Sequence, residues 1–386
     1  MHRARDVVVV GGGPAGLYTA HLLAEQGHDV LVLDRRQAIG QNVVCTGIVS
    51  KEAFERFGFS PGSVLSKIQR LCLVSPAGSS LTYTHPDTLA YAVDRNKFDN
   101  QIRQWAEKSG AEIKLESVVK QARVSRDCVE VSVESPCESY EVRAALVVIA
   151  TGVQYHLQRQ LGLDVPTDYL RGAQANLPMD RTGPTTVYVG RAVAPGGFAW
   201  VVPINNGWCR VGLMTCGNAQ ELFHQLLDRL DQKGRHQGVR VDFKPIAQGL
   251  VSRTYADRVI AVGEAAGQIK TTTGGGIYYG LLGAEIAAEV VGQVVRSGDA
   301  SAKSLREYDR RWKQVMGKEI KLGYWARRLA GRLSDSEIER VVQAIRGNGL
   351  FAFAEKQARF DWHRGVISYL LQMPVIRDVV SRSAPL

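Results

Sequence analysis

The chain has 386 residues, 45% of them hydrophobic, enough to bury a sizeable core across more than one domain. No apolar run reaches the ~18 residues that span a bilayer, and Met1-His-Arg-Ala-Arg-Asp6 leads straight into an apolar stretch, so no signal peptide is expected. Six cysteines, at 45, 72, 128, 137, 209 and 216, form no C-x-x-C pair and no zinc spacing, so a reduced, cytoplasmic chain without a structural metal is expected. The net charge of +10 is uneven: residues 301–386 hold 17 Lys/Arg against 9 Asp/Glu, a surplus of 8. No helix-turn-helix, finger or RNP-like motif accompanies that surplus, so nucleic acid is not an expected partner. No G-x-S-x-G elbow points to a serine nucleophile.

In chain order, Val7–Val10 reads as a buried parallel strand running into Gly11-Gly-Gly-Pro-Ala-Gly16. Gly11, Gly13 and Gly16 fit G-x-G-x-x-G: the first for the tight turn, the second for close approach to a pyrophosphate, the third for packing of the helix from Ala15 to Gln26 on the strand. Asp29–Leu33 is the next strand, and Asp34 at its end, 23 residues after Gly11, is placed to accept from a ribose hydroxyl. Strand, helix and acidic residue in register make a dinucleotide site. Leu71–Ser75 and Ser80–Tyr83 read as a hairpin of a second layer, and Asn96–Lys108 as a helix closed by Gly110. Strands are expected near Ala111–Leu115, Ala122–Val124, Val129–Val133 and Ala145–Ala150. A mostly antiparallel sheet follows from Gly172–Asn176, Thr185–Val189, Phe198–Val202 and Cys209–Met214, then a helix over Ala219–Gln232.

Val259–Val262 is a further buried strand, followed by Gly263-Glu-Ala-Ala-Gly267, a polar loop, Gly274-Gly-Gly276 and an apolar helical run from Ile277 to Val295. Three glycines strip every Cβ from that helix entrance, so a flat or charged group can rest on backbone N–H groups. A cofactor spanning this segment and the N-terminal βαβ unit matches FAD, with its ADP half on the first site and its ribityl-flavin half on the second. No second G-x-G-x-x-G follows a strand, so a nicotinamide cofactor has no Rossmann domain of its own here. The remainder is expected to be helical.

Gly11–Gly16, Asp34, Val93–Asp99, Ala150-Thr-Gly152 and Val262–Gly267 together resemble the para-hydroxybenzoate-hydroxylase-like flavoproteins. Cys45 in Val-Val-Cys-Thr-Gly, Pro195-Gly-Gly-Phe-Ala-Trp-Val-Val-Pro203 with Val211-Gly212, and Lys270–Gly280 are similar to the geranylgeranyl reductase family. The family's Tyr-x-Trp-x-Phe-Pro motif has Phe198 and Val202 at two places here, and its Gly-Asp becomes Gly263-Glu264, one methylene longer. The resemblance implies an α/β fold: a Rossmann-like FAD-binding domain (1–70, 91–165 and 250–300), interleaved with an antiparallel-sheet substrate domain (71–90 and 166–249), plus a helical region over 301–386. It implies FAD contacts from Gly11, Gly13, Pro14, Ala15, Gly16, Asp34, Arg35, Cys45, Thr46, Gly47, Thr151, Gly152, Gly263, Glu264, Gly267, Gly274, Gly275, Gly276 and Ile277. Arg95, at a helix start, is placed either on the flavin or pyrophosphate or as a surface arginine.

Phe198, Trp200 and Pro203 are the expected substrate-pocket residues, the two aromatics on one face of a strand. Cys45 is either the family's active-site cysteine or a small hydrophobe filling its loop. The activity implied is reduction of carbon–carbon double bonds in a polyprenyl chain: protonation at one carbon, hydride from reduced flavin at the other, in a dry tunnel. The proton donor is open among Cys45, Tyr278, Tyr279 and water, and the electron donor between NAD(P)H and ferredoxin. A flavin monooxygenase or halogenase, or a non-redox isoprenoid cyclase or isomerase using reduced FAD, are the alternatives. Trp312, Tyr324 and Trp325 among the cations of 310–328 suit either a reversible contact with anionic lipid or a solvated basic helix with its aromatics packed inward.

Overall fold

A computed structural model describes residues 4–179, 183–230, 238–347 and 359–383. Three sheets organise the chain. The first runs in the order Tyr255–Ala256, Val259–Ala261, Ser139–Ile149, Arg5–Val10, Val30–Leu33, Glu112–Lys114. Val129–Glu134 pairs antiparallel with Ser139–Ile149, and Val118–Val124 antiparallel with Val129–Glu134. The centre of the sheet is parallel: Val7 sits opposite both Leu146 and Val30. Val7, Val8 and Val9 are fully buried, as a strand covered on both faces requires. One face packs on helices Pro14–Glu25, Arg95–Lys108 and Ile277–Ser297.

The second sheet has seven strands in the order Asp242–Gln248, Asp168–Pro178, Trp208–Thr215, Phe198–Pro203, Thr185–Tyr188, Arg70–Val74, Ser80–Thr84. All pairs are antiparallel except Thr185–Tyr188 with Arg70–Val74. The hairpin of residues 70–84 therefore joins this sheet, as its position in the sequence suggests. A third sheet of three short strands, Ile48–Ser50, Ala90–Val93 and Val64–Ile68, bridges the two and has no counterpart in the sequence reading. The helix expected over Ala219–Gln232 is Ala219–Arg229, and its last residues lie outside the described ones.

Among its described residues the C-terminal part is helical, with one short β-bridge between Arg359 and Trp362. Among the described residues no helix is long and apolar enough to cross a membrane. The basic cluster expected at 310–328 is largely dismantled by packing. Trp312 is fully buried, its Nε1 donating to Thr254 Oγ1 at 3.1 Å. Arg310 pairs with Glu307, Arg311 with Glu289, Lys313 with Asp309, and Arg327 with Asp168. Lys318, Lys321, Trp325 and Arg328 remain exposed at helical spacing on one face, with Trp325 67% exposed.

Candidate functional site

The glycine turn after Arg5–Val10 is dictated by sterics. Gly11 has φ +113, and a Cβ there would lie 2.4 Å from Ala150 O; a Cβ on Gly16 would lie 2.1 Å from Gly11 O. A Cβ on Gly13 would meet nothing within 4 Å, because that side of the turn faces an open groove. The groove, about 400 Å³, is lined by Gly11, Gly13, Pro14, Ala15, Gly16, Asp34, Arg35, Cys45, Arg95, Thr151, Gly152, Gly263, Glu264, Gly274, Gly276 and Ile277. Helices Pro14–Glu25 and Ile277–Ser297 both begin at it, so their N-terminal N–H groups favour negative charge there. A bare-backbone cradle with two helix N-termini fits a dinucleotide.

Two acidic residues of the groove are engaged by protein partners. Asp34 accepts from Gly12 N at 2.6 Å and from Arg36 N, Nε and Nη2 at 2.8, 2.9 and 2.8 Å. Burial alone would raise its carboxyl, but Arg36 outweighs that and holds it below the usual range. Asp34 thus braces the glycine turn, with Arg36 as a partner the sequence reading did not name. Glu264 accepts from Lys244 Nζ at 2.7 Å across the groove. Arg35 meets the Gln154 carboxamide at 2.7 and 3.0 Å.

Arg95 is no surface residue. Its side chain is 11% exposed and makes a two-pronged pair with Asp99 at 2.9 and 2.8 Å. Burial would lower its guanidinium, yet Asp99 and the neighbouring Cys45 sulfur push it up. The Cys45 loop itself is pinned to the seven-stranded sheet. Gln174 donates to Cys45 O at 3.3 Å and accepts from Thr46 Oγ1 at 3.0 Å, and Arg210 donates to Thr46 O at 2.5 Å. Arg210, only 8% exposed, was missed in the sequence, although an arginine between Cys209 and Val211 in an apolar strand is a signal of buried polar work.

Beyond this loop lies an apolar cavity of about 670 Å³. Phe198, Trp200 and Val202 line it from one strand face, while Pro203 does not: the strand's alternation turns it away, its carbonyl accepting from Ser66. Phe198 and Trp200 meet edge-on, centroids 5.8 Å apart. A Cβ on Gly212 would lie 2.4 Å from the Trp200 ring, so only glycine seats that indole. Thr46, Gly47 and Gly275 line this cavity and not the groove. Gly267 lines neither; at φ +69 its missing Cβ makes room for Val251, and its role is packing. Groove and cavity share Val44, Cys45, Lys244, Glu264, Gly274, Gly276 and Ile277, which marks their junction.

A C-terminal segment, Phe360–His363, closes one side of the cavity and was absent from the sequence reading. Lys270 Nζ pairs with Asp361 Oδ1 at 2.6 Å, the two side chains 7% and 3% exposed, and lies 4.5 Å from the Phe360 ring centroid. His363 Nδ1 and Thr272 Oγ1 are 2.5 Å apart. Burial, then Lys270, holds the imidazole down to about 4, so it is neutral near pH 7. Tyr278 donates to Glu52 and Tyr279 to Asp361 O, and burial pushes both phenols up. Tyr278 lines the cavity and Tyr279 does not, and each hydroxyl is engaged by a protein acceptor. Among the described residues no cluster of metal-ligating side chains occurs.

A dinucleotide groove opening onto an apolar chamber defines a flavoprotein oxidoreductase. A family model described as FAD dependent oxidoreductase matches residues 6–153. Digeranylgeranylglycerophospholipid reductase 1 of Methanopyrus kandleri is 32% identical over 357 residues, covering 88% of this chain and 93% of that protein. Digeranylgeranylglycerophospholipid reductase 2 of Methanothermobacter thermautotrophicus is 29% identical over 392 residues, covering 97% and 99%. The chain belongs to the geranylgeranyl reductase family of FAD-dependent oxidoreductases. Its fold is also that of a solved geranylgeranyl bacteriochlorophyll reductase-like protein from Thermoplasma acidophilum (21% identity, TM-score 0.87, 99% and 100% covered). A p-nitrophenol 4-monooxygenase from Pseudomonas putida shares it more distantly (22% identity, TM-score 0.73, 99% and 98% covered).

Proposed function

We propose that the protein reduces carbon–carbon double bonds of geranylgeranyl-type chains carried on a glycerophospholipid. The observation that carries this reading is the junction: a large apolar cavity opens onto the dinucleotide groove at Cys45, Gly274, Gly276 and Ile277. The relatives' names supply the substrate class. In this reading the first sheet with its helices is the cofactor unit and the seven-stranded sheet the substrate unit. FAD, when bound, supplies hydride, and the residues that would hold it are those of the groove: the Gly11–Gly16 turn for its pyrophosphate and Gly263–Ile277 for its ribityl-flavin half.

The chain's own residues do the rest. Phe198, Trp200 and Val202 exclude water and align the prenyl chain. The 45–47 loop, fixed by Gln174 and Arg210, holds the Cys45 thiol at the junction, where it is the side chain best placed to hold a proton for the alkene, since the tyrosines are committed elsewhere. Glu264 is the candidate acceptor for the ribityl hydroxyls once Lys244 is displaced, and Asp34 for the ribose. Electrons arrive from NAD(P)H or a reduced ferredoxin docking transiently. The exposed Lys318, Lys321, Trp325 and Arg328 face supports reversible contact with anionic lipid, a narrower surface than charge counting indicates.

Mass spectrometry of digeranylgeranyl lipid incubated with chemically reduced holoenzyme tests the reading. Additions of about 2 Da per saturated bond are expected from the added hydrogen pair. An unchanged mass with altered chromatography points to an isomerase, and oxygen-dependent hydroxylation to the monooxygenase chemistry that shares this scaffold.

A further inference from the structure

A second apolar cavity, about 350 Å³, lies beside the reaction chamber under helices Lys318–Ala330 and Asp335–Gly347. Val187, Phe198 and Thr272 line both cavities, so the two meet at the Phe198 side chain along the seven-stranded sheet. The remaining walls are largely aliphatic, with Ala326, Ala330 and Val342 among them. Two guanidiniums reach its edge, and both are turned to protein partners. Arg191 Nη2 donates to Arg332 O at 3.4 Å, and Arg327 to Gly196 O and Asp168 Oδ2 at 3.4 and 3.3 Å. Of this pair's buried nitrogens, only Arg327 Nε is left without a hydrogen-bond partner among the described residues, so polar capacity is confined to one edge of the cavity. Its chemistry is that of a hydrocarbon site.

We infer that this cavity takes the second hydrocarbon chain of a two-chain isoprenoid lipid while the first chain lies in the reaction chamber; the inference rests on the reductase reading above. A lipid with two chains on adjacent glycerol carbons brings both to the protein together. Withdrawing one chain alone would leave the other crossing water, and every methylene left there is unfavourable. Two adjoining apolar chambers divided by one aromatic ring remove that penalty. Phe198, braced edge-on by Trp200, is the partition, and the ring that contacts the reacting chain on one side contacts its idle twin on the other.

The test uses FAD-loaded, full-length Ala326→Phe and Ala330→Phe proteins, whose new rings fill the second cavity and leave the lining of the first unchanged. Each is assayed on a digeranylgeranyl glycerophospholipid and on its mono-geranylgeranyl counterpart. Binding of the fully saturated counterparts, which cannot be reduced, is read by tryptophan fluorescence. Both kcat/KM and affinity for two-chain lipids should fall at least about tenfold, about 1.4 kcal/mol. One-chain lipids should be unaffected, which also shows that the variants fold. Equal losses for one- and two-chain lipids would mean a single continuous tunnel and overturn the inference. No loss for either would mean that the cavity stays empty, and overturn it too. Wild-type protein that binds the saturated lipids with this discrimination yet adds no hydrogen to the unsaturated ones would instead sink the reductase reading.

Discussion

Replacing Lys270 by methionine isolates what ties the C-terminal segment to the site. The ammonium sits 2.6 Å from Asp361 Oδ1, with side chains 7% and 3% exposed, and Asp361 Oδ2 has no hydrogen-bond partner among the described residues. The thioether side chain keeps most of the stem's packing against Gly275 but strips the carboxylate of its counter-charge. Breaking a buried pair from one side costs about 3–5 kcal/mol, because the surviving charge stays desolvated. Removing both charges, in Lys270→Met with Asp361→Leu, leaves no orphan and should recover all but about 1 kcal/mol. Urea unfolding of the wild type, the two single variants and the double variant gives the cycle from the midpoints. A Lys270→Met cost below about 1 kcal/mol, or a double variant as unstable as the sum of the singles, would show that the pair is solvated and not a buried latch.

Gly13→Val puts a branched side chain into the open side of the groove, so the purified variant should lose the yellow chromophore while its melting behaviour changes little; full FAD content by absorbance would refute the cradle. Cys45→Ser should retain FAD and cut double-bond reduction at least about tenfold, equivalent to about 1.4 kcal/mol of barrier; unchanged turnover would make Cys45 loop filler. His363, neutral down to about pH 4 in the fold against about 6.5 unfolded, binds fewer protons folded than unfolded in between. Stability should therefore fall as pH drops from about 6.5 to 4 and level off below, by on the order of 3 kcal/mol. His363→Gln should lose that share of the slope, and identical pH profiles for the two proteins would refute it.

What the sequence made legible was local. Gly11 and Gly16 were readable because their reasons, a turn and a helix packed on a strand, lie within six residues of one another. Strand alternation put Phe198 and Trp200 on one face, and the preceding Pro195-Gly-Gly197 turn with the family resemblance made that face a pocket wall. The partners across the chain were not readable: Asp361 lies 91 residues from Lys270, and Arg210 is 164 from the Thr46 carbonyl it binds. Nothing in either segment names the other. The strand Asp242–Gln248, carrying Asp, Lys and Pro, lacks the apolar pattern of a strand and owes its place to pairing with Asp168–Pro178.

The basic segment is the more instructive case, because the signal that chooses between its two readings lies in the sequence. Leu305, Tyr308 and Trp312 recur at helical spacing and are all fully buried, so the helix Ala302–Trp312 turns its aromatic stripe inward and its arginines toward carboxylates. Counting charges over a segment treats every cation as facing outward; periodicity sorts them. Applied to the next helix, the same sorting separates Lys318, Lys321, Trp325 and Arg328, which face solvent, from Arg327, whose side chain is 10% exposed and paired with Asp168. Arg327 borders the cavity assigned above to the second chain, while its neighbour Arg328 lies on the exposed basic face. If both proposals hold, one helix offers its outer side to a lipid surface and its inner side to a lipid chain, a geometry suited to drawing a two-chain substrate from a membrane surface.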